Sequence, residues 1–538
     1  METGRTGGQL LVACLEAQGI TKAFGVPGES YLAVLDAFVD SHIEYLGWRH
    51  EGGAAYAASA WGKLLGQPGI AFVTRGPGAT NASVGVHTAR QDSSPMILFV
   101  GQASTAHLGR EAFQEIDHRA FFSPIAKWAT QVDDVDRIPE IVSRAFSMAC
   151  GGRPGPVVVA LPEDVLAARS TAEPGRPVQI SRPGPTPTEL AAVVELLENA
   201  ERPLVLVGGG GWDETGRIAL QGFAQANGLP VATVFRSQDL IDNTSASFVG
   251  EAGVAMSDGV ASMISNADVL LALGIRFGEI ATKGFSLVGI PDPAAEVIHV
   301  HPSPDELGKV VQASLPIVAN PSTFCEALNG AALTPSPSRR AFCESGRAAY
   351  LDMVRSPPST SPVDMATVME ILRDGLPADA IITNGAGNFT RWPNRYYSFG
   401  ANARLLGPQS GSMGYGLPAA IAARLADPDR VVVCFAGDGD FQMTIQELGT
   451  AMQHGAQPIV IVVNNASYGT IRMHQEREFP GRVSGTEIKN PDLVQVARAY
   501  GFEAVRVEET SGFAPALQRS MASRSGALIE LMVDEFPA

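Results

Sequence analysis

Nearly continuous apolar runs narrow the fold more than any other feature of this chain. "GIAFVT" (69–74), "MILFV" (96–100) and "PVVVALP" (156–162) lie in its first third. "RPLVLVGGG" (202–210), "ADVLLALG" (267–274) and "EVIHVHP" (296–302) lie in the second. "AIITNG" (380–385), "RVVVCFAG" (430–437), "PIVIVVNN" (458–465) and "ALIELMV" (527–533) lie in the last. A strand with one wet face alternates apolar and polar residues. Runs without that alternation suit strands covered on both faces, and longer helix-like stretches separate them. The pattern predicts an α/β protein built of doubly wound parallel sheets with helices on each side.

Two stretches rich in Pro, Ser and Gly, 171–190 and 332–364, divide the runs into three blocks of similar size. The expected domains are 1–170, 189–335 and 364–538, a reasonable partition of 538 residues at roughly 100–200 per domain. Apolar residues make up 45% and charged residues 18%, which is a composition with ample core. The net charge of −17 argues against a nucleic-acid surface. No apolar run reaches the ~18 residues that a membrane span needs. The first twenty residues lack the basic start and cleavage site of a signal peptide. The five cysteines, Cys14, Cys150, Cys325, Cys343 and Cys434, are scattered and form no C-x-x-C, which fits a reducing cytoplasm.

The first and third blocks resemble each other. In each, a helix of small residues leads to an apolar strand, a glycine turn, a helix, a proline and another apolar strand. Gly76 to Pro95 spans 19 positions and Gly437 to Pro458 spans 21. The polar residues differ. The first block has Glu51 before its helix, whereas the third has Asp438 and Asp440 in its turn. Ligands of open α/β sheets bind at the carboxyl ends of strands. Asp438 sits at such an end, and Asn465 sits 27 positions later at the end of the next apolar strand. An Asp carboxylate and an Asn carbonyl on adjacent strand tips suit Mg²⁺, which takes few protein ligands and shares phosphate oxygens and water. The glycines of "GDG" let main-chain N–H groups approach a phosphate. The plainer role for Asp438 is a helix cap.

"GDGDFQMTIQELGTAMQHGAQPIVIVVNN" resembles the diphosphate-binding motif of thiamine diphosphate enzymes, which opens with GDG and closes with NN. "FGVPGESYLAVLDAF", "RHEGGAAYAASAWGK", "GIAFVTRGPGATN", "GRPGPVVVALPEDV" and "SGSMGYGLPAAIAA" resemble the acetolactate synthase branch of that superfamily, in the same order and across all three blocks. The resemblance implies a pyrimidine-binding first domain, a Rossmann-like middle domain and a diphosphate-binding third domain. It also implies a homodimer at least, commonly a tetramer, with the cofactor between Glu51 and the metal site of different subunits.

By this resemblance Asp438, Asn465 and the main-chain oxygen of Ser467 hold Mg²⁺. Gly439 and Asp440 lie at the diphosphate, Asp440 through its backbone or as a turn residue, and Gly387 and Asn388 are further candidates there. Tyr468 and Gly469 follow the metal ligands as further candidates for binding the cofactor, and Tyr468, Ile471 and His474 are candidates for the substrate pocket. Gly411 and Met413 hold the pyrimidine, with Met413 as the wedge between the two rings; an ordinary core methionine is the plainer role. Glu51 bonds the aminopyrimidine and exchanges its proton; a helix-start acid is the plainer role. Gln114 matches the Phe-Gln pair of acetolactate synthases. Glu29 stands where those enzymes usually have Gly and pyruvate decarboxylases have Asp. His107 and His87 are candidate proton donors, and Arg391 and Trp392 read as structural.

The implied reaction is decarboxylation of a 2-oxo acid followed by carboligation. Simple decarboxylation, C–C hydrolysis, a flavin-dependent oxidase and an inactive cofactor-binding relative are the alternatives. The implied cofactors are thiamine diphosphate and Mg²⁺. FAD is not expected. The flavin-binding relatives carry an Arg-Phe-Asp-Asp-Arg run, whereas this chain reads "IRFGEIATKGF", and "HP" at 301–302 replaces acidic residues. The glycine run 208–211 lacks GxGxxG spacing and reads as a tight turn. His299 and His301 have no third ligand in view for zinc.

Overall fold

Residues 4–355 and 361–534 are described by a computed structural model. Residues 356–360, in the second Pro- and Ser-rich stretch, lie outside them, as do both extreme termini. Each block is built on one six-stranded parallel sheet. From edge to edge the first runs Glu44–Gly47, Lys22–Gly25, Gly69–Val73, Met96–Gln102, Pro156–Pro162 and Trp128–Gln131. The third runs Arg404–Leu406, Ile381–Asn384, Val432–Gly437, Ile459–Asn464, Ala527–Met532 and Glu503–Val507. Counted by chain order within its own block, each has the order 2-1-3-4-6-5. The resemblance between the two blocks is therefore one of topology. The middle sheet has the order 3-2-1-4-5-6, that of dinucleotide-binding folds.

All ten apolar runs become strands. Met96–Gln102 shows why: every residue is buried. Met96, Leu98 and Val100 enter one core, while Ile97 and Phe99 enter the core on the opposite face. The core on one face of the first sheet is continuous with the core on one face of the third. There the helix Glu51–Leu65 packs on the helix Gly416–Ala426. Small residues make this close approach possible. Glu51–Leu65 buries Gly52 through Ala58 without a break, and Gly416–Ala426 buries Gly416 through Ala423.

The first linker is shorter than its composition suggests. Pro187 starts a helix, Pro187–Asn199, with a capping box between Thr186 and Glu189. Most of the second stretch is the helix Pro337–Met353. All five cysteines are unpaired. Among the described residues no helix is long and apolar enough to cross a membrane.

Candidate active site

Strands Val432–Gly437 and Ile459–Asn464 are paired in parallel, with Gly437 opposite Val463. Their carboxyl ends open on a cavity of about 210 Å³. Gly387, Asn388, Gly411, Met413, Asp438, Gly439, Asp440, Asn465, Ser467, Tyr468, Gly469 and Ile471 all line it. Four separate stretches of the third block thus meet at one place. His474 is not among the lining residues; its Nδ1 lies 2.9 Å from Arg477. Arg391 is exposed, and Trp392 stacks on Tyr396.

Asp438 is not the cap of its helix. It is the first residue of Asp438–Gln442, and Gly437 occupies the cap position. Its side chain is buried, and the groups that hold it are neutral. Asn490 donates to Oδ2 at 2.6 Å, and main-chain N–H groups of Gly439 and Ala466 face it. Burial raises the Asp438 carboxyl above its ordinary value, against these hydrogen bonds. A buried carboxylate without a cationic partner, at the edge of a cavity, is suited to a metal ion.

Asn465 is half-buried, and its Oδ1 accepts from the Ser467 N–H at 3.2 Å. The chain between them turns through Ala466 at φ +53°, a conformation that L-residues rarely adopt. Residues 486–488 brace this turn: Tyr468 N–H donates to Thr486 at 2.8 Å, and Ile488 N–H donates to Ala466 at 2.9 Å. Gly439 sits under the Tyr468 ring. A Cβ there would lie 2.6 Å from the ring and 2.9 Å from Ile488. Among the described residues no group of three or more His, Cys, Asp or Glu is placed to hold a metal. A cation here would draw on amide and main-chain oxygens beside Asp438. His299 and His301 bond main-chain oxygens of Ile275 and Ser303 instead.

Asp440 uses its side chain as well as its backbone. Its Oδ1 accepts from the N–H groups of Ala386 and Gly414, each at 3.0 Å, so one buried carboxylate ties two cavity loops together. A Cβ on Gly385 would lie 2.0 Å from that oxygen. Arg236, from the middle block, donates to the Gly385 carbonyl at 2.9 Å. Tyr56, from the first block, donates to Met413 O at 3.2 Å. Thr470 Oγ1 accepts from Asn388 N–H at 2.9 Å, fixing that loop to the helix Gly469–Glu478. Sequence reading did not single out Asn490, Arg236, Tyr56 or Thr470. Each acts through a long-range contact that no local spacing signals.

Burial pushes the Asp440 carboxyl up to about 7. Glu447 and Glu251 are pushed to about 7 by the same cause. These acids bind protons more tightly folded than unfolded. Their contribution to stability is greatest below the unfolded value, declines as pH rises from about 4 to about 7, and is level above. Asp440→Asn keeps an acceptor for both N–H groups and removes one titration. The urea midpoint should therefore change less between pH 5 and pH 8 in the variant than in the wild type. An unchanged difference between the two pH values would contradict the burial argument.

The predicted residues of the first block lie on another surface, at the carboxyl ends of its own sheet. Glu51 is the first residue of Glu51–Leu65, after His50, whose Nδ1 caps Gly52. The Glu51 carboxylate accepts from Asn81 at 3.0 Å. Gln114 is half-buried at φ +61°, and its carbonyl lies 2.5 Å from where a Cβ on Gly76 would be. Gly76 itself has φ +42°, so glycine is required twice over. Glu29 pairs with Arg75 at 3.1 Å. His107 is exposed and His87 half-buried. None of these residues lines the third-block cavity. A larger cavity of about 630 Å³ lies where the three blocks meet and contains no acid of the strand-tip turn.

Comparison with known proteins agrees with this layout. Residues 5–121 match the thiamine pyrophosphate enzyme N-terminal TPP binding domain, 190–328 the central domain and 385–531 the C-terminal TPP binding domain. The acetolactate synthase large subunit of Parasynechococcus marenigrum (strain WH8102) is 32% identical, over 98% of this chain and 87% of its own. The acetolactate synthase isozyme 2 large subunit of Escherichia coli (strain K12) is 30% identical, over 98% and 96%. The large subunit from Corynebacterium glutamicum is 31% identical, over 96% and 84%. Three parallel sheets, the first and third alike in strand order, family models that match all three blocks and similarity over nearly the whole length agree: the chain belongs to the thiamine pyrophosphate (thiamine diphosphate) enzymes and is similar to the large subunits of acetolactate synthases.

Proposed function

We propose that this chain binds thiamine diphosphate with Mg²⁺, decarboxylates a 2-oxo acid and joins the remaining acyl group to a second carbonyl compound. The observation that carries the reading is the buried Asp438 carboxylate, held by neutral groups beside Asn465 at the mouth of one cavity. Asp438, Asn465 and the Ser467 carbonyl would hold the cation. The turn at Gly439 and the loop Gly387–Asn388 would receive the diphosphate, and Gly411 and Met413 the pyrimidine. When bound, the cofactor supplies the electron sink for loss of CO₂ and for C–C bond formation. The protein positions it, excludes water and moves protons. Glu51 would exchange the proton, its carboxylate held by the neutral Asn81 amide at the start of Glu51–Leu65.

All lining residues of the cavity come from the third block, and Glu51 is on the first. A homodimer would bring Glu51 of a second copy to this cavity, and a tetramer would pair two such dimers. Two features support association. The helix Gly469–Glu478 has no buried residue, and Phe113 is 71% exposed beside the first-block site. The unpaired cysteines fit a cytoplasmic location.

We also infer that turnover needs no flavin. The glycine turn 209–211 is half-buried and lines the larger cavity, but it lacks the GxGxxG spacing of a pyrophosphate-binding turn. Trp212 donates to Gly208 O at 2.9 Å, and the Ser93 carbonyl oxygen lies 2.4 Å from where a Cβ on Gly210 would be. Arg276 is committed to Gln91 O at 2.6 Å. The purified protein, given thiamine diphosphate, Mg²⁺ and a panel of 2-oxo acids, should release CO₂ and form C–C-bonded products without added flavin. Absence of CO₂ release with every acid would overturn the reaction. Co-purifying flavin whose removal stops turnover would overturn the flavin reading alone.

A further inference from the structure

A charged cluster on the first block bears on the choice of acceptor. Arg75 Nη2 donates to Glu29 at 3.1 Å, and Arg75 Nη1 donates to Glu163 at 3.1 Å. The guanidinium is buried beneath the Phe113 ring, 5.9 Å from its centroid. Each terminal nitrogen donates to one carboxylate, and Nε is buried without a partner. The carboxylates are the outer members: the Glu29 side chain is 65% exposed and that of Arg75 8%. Two carboxylates against one guanidinium leave the rim with a net charge of −1.

This rim adjoins Glu51. A Cβ on Gly28 would meet Thr74 at 2.6 Å; one on Gly78 would meet Thr74 at 2.9 Å and the Glu51 carboxylate at 3.3 Å. Thr74 thus lies between the segment carrying Glu29 and the segment facing Glu51. Both acids stand at the carboxyl end of the same sheet, the end where such sheets bind ligands.

We propose that Glu29, fixed by Arg75, selects a neutral carbonyl compound, an aldehyde, as acceptor in preference to a second 2-oxo acid. The proposal rests on the decarboxylation and carboligation reading above. The two substrates differ in the fate of their charge. The donor loses its carboxylate as CO₂, so an anionic neighbour does not oppose its conversion. A 2-oxo acid acceptor would keep its carboxylate in the product, against Glu29. Like-charge contacts of this kind reject wrong partners. With an aldehyde, the C1–C2 bond of the donor breaks and CO₂ leaves. The former C2 bonds to the aldehyde carbon, and the aldehyde oxygen takes one proton, giving a 2-hydroxy ketone. No oxidant or reductant is needed.

The test is a competition. Holoenzyme with thiamine diphosphate and Mg²⁺ receives pyruvate as donor and equal concentrations of propanal and 2-oxobutyrate, and products are counted by ¹³C NMR. The wild type should form hydroxy ketone over carboxylated product by at least ~10-fold, and Glu29→Gln should lower that ratio by at least ~10-fold, the change that ~1.4 kcal/mol produces. Glu29→Gly, which removes the carboxylate together with its stem, should move the ratio in the same direction. A ratio compares two products of one enzyme, so general damage to the protein does not imitate the effect. Carboxylated product as the main wild-type product, release of free aldehyde alone, or a ratio unchanged in both variants would each overturn the proposal. Failure to release CO₂ would overturn the underlying reaction as well.

Discussion

Asp438→Ala is expected to raise the Mg²⁺ and thiamine diphosphate concentrations needed for binding by at least ~10²-fold, because outer-shell partners alone typically cost 10–100-fold in metal affinity. The fold should survive. Asp438 stands at a strand tip, and in the absence of a cation its burial works against the charged form. The apo variant should therefore melt at or above the wild-type temperature. Asn490→Ala provides the graded comparison. It removes the amide that orients Asp438 and supports Asn464, and should weaken binding by about 10-fold. Calorimetric titration with Mg²⁺ present measures both. Equal affinity in Asp438→Ala and wild type would remove this residue from the metal site.

Glu51→Gln should lower kcat for CO₂ release by at least ~10²-fold, the low end for a positioned general acid–base group. Glutamine keeps the volume and can still accept the Asn81 hydrogen bond, but it cannot exchange a proton. Cofactor affinity should therefore stay within about threefold of wild type, since the metal and diphosphate groups lie on another block. A fall in affinity equal to the fall in kcat would make Glu51 an anchoring residue. An unchanged kcat would remove it from the reaction.

The strands that escaped sequence reading share a physical cause. Glu44–Gly47, Trp128–Gln131, Phe248–Ala252, Leu315–Val318, Arg404–Leu406 and Glu503–Val507 are the edges of the three six-stranded sheets. Edge strands are short, and most of these are only partly covered. Glu503–Val507, for example, has one buried residue in five. They therefore lack the unbroken apolar run that marks a strand packed on both faces. Two short inner strands, Lys22–Gly25 and Val231–Val234, were missed as well. They are only four residues long, too short for a distinct run.

The central strands, the three-block order and the strand-tip pair Asp438 and Asn465 were legible from local rules: apolar runs that need two covered faces, and polar residues at strand tips and glycine turns. The other residues of the third-block cavity were legible only through the family motifs that carry them. The setting of each acid comes from packing. Asp438, Asp440, Glu29 and Glu51 look alike as letters. Burial with neutral donors leaves Asp438 without a cationic partner. Two N–H groups from distant loops make Asp440 a latch. A buried arginine turns Glu29 into part of a fixed anion cluster, whereas Asn81 leaves Glu51 with a neutral partner. The charge state and task of a carboxylate depend on desolvation and on partners from remote parts of the chain, and those are set by packing.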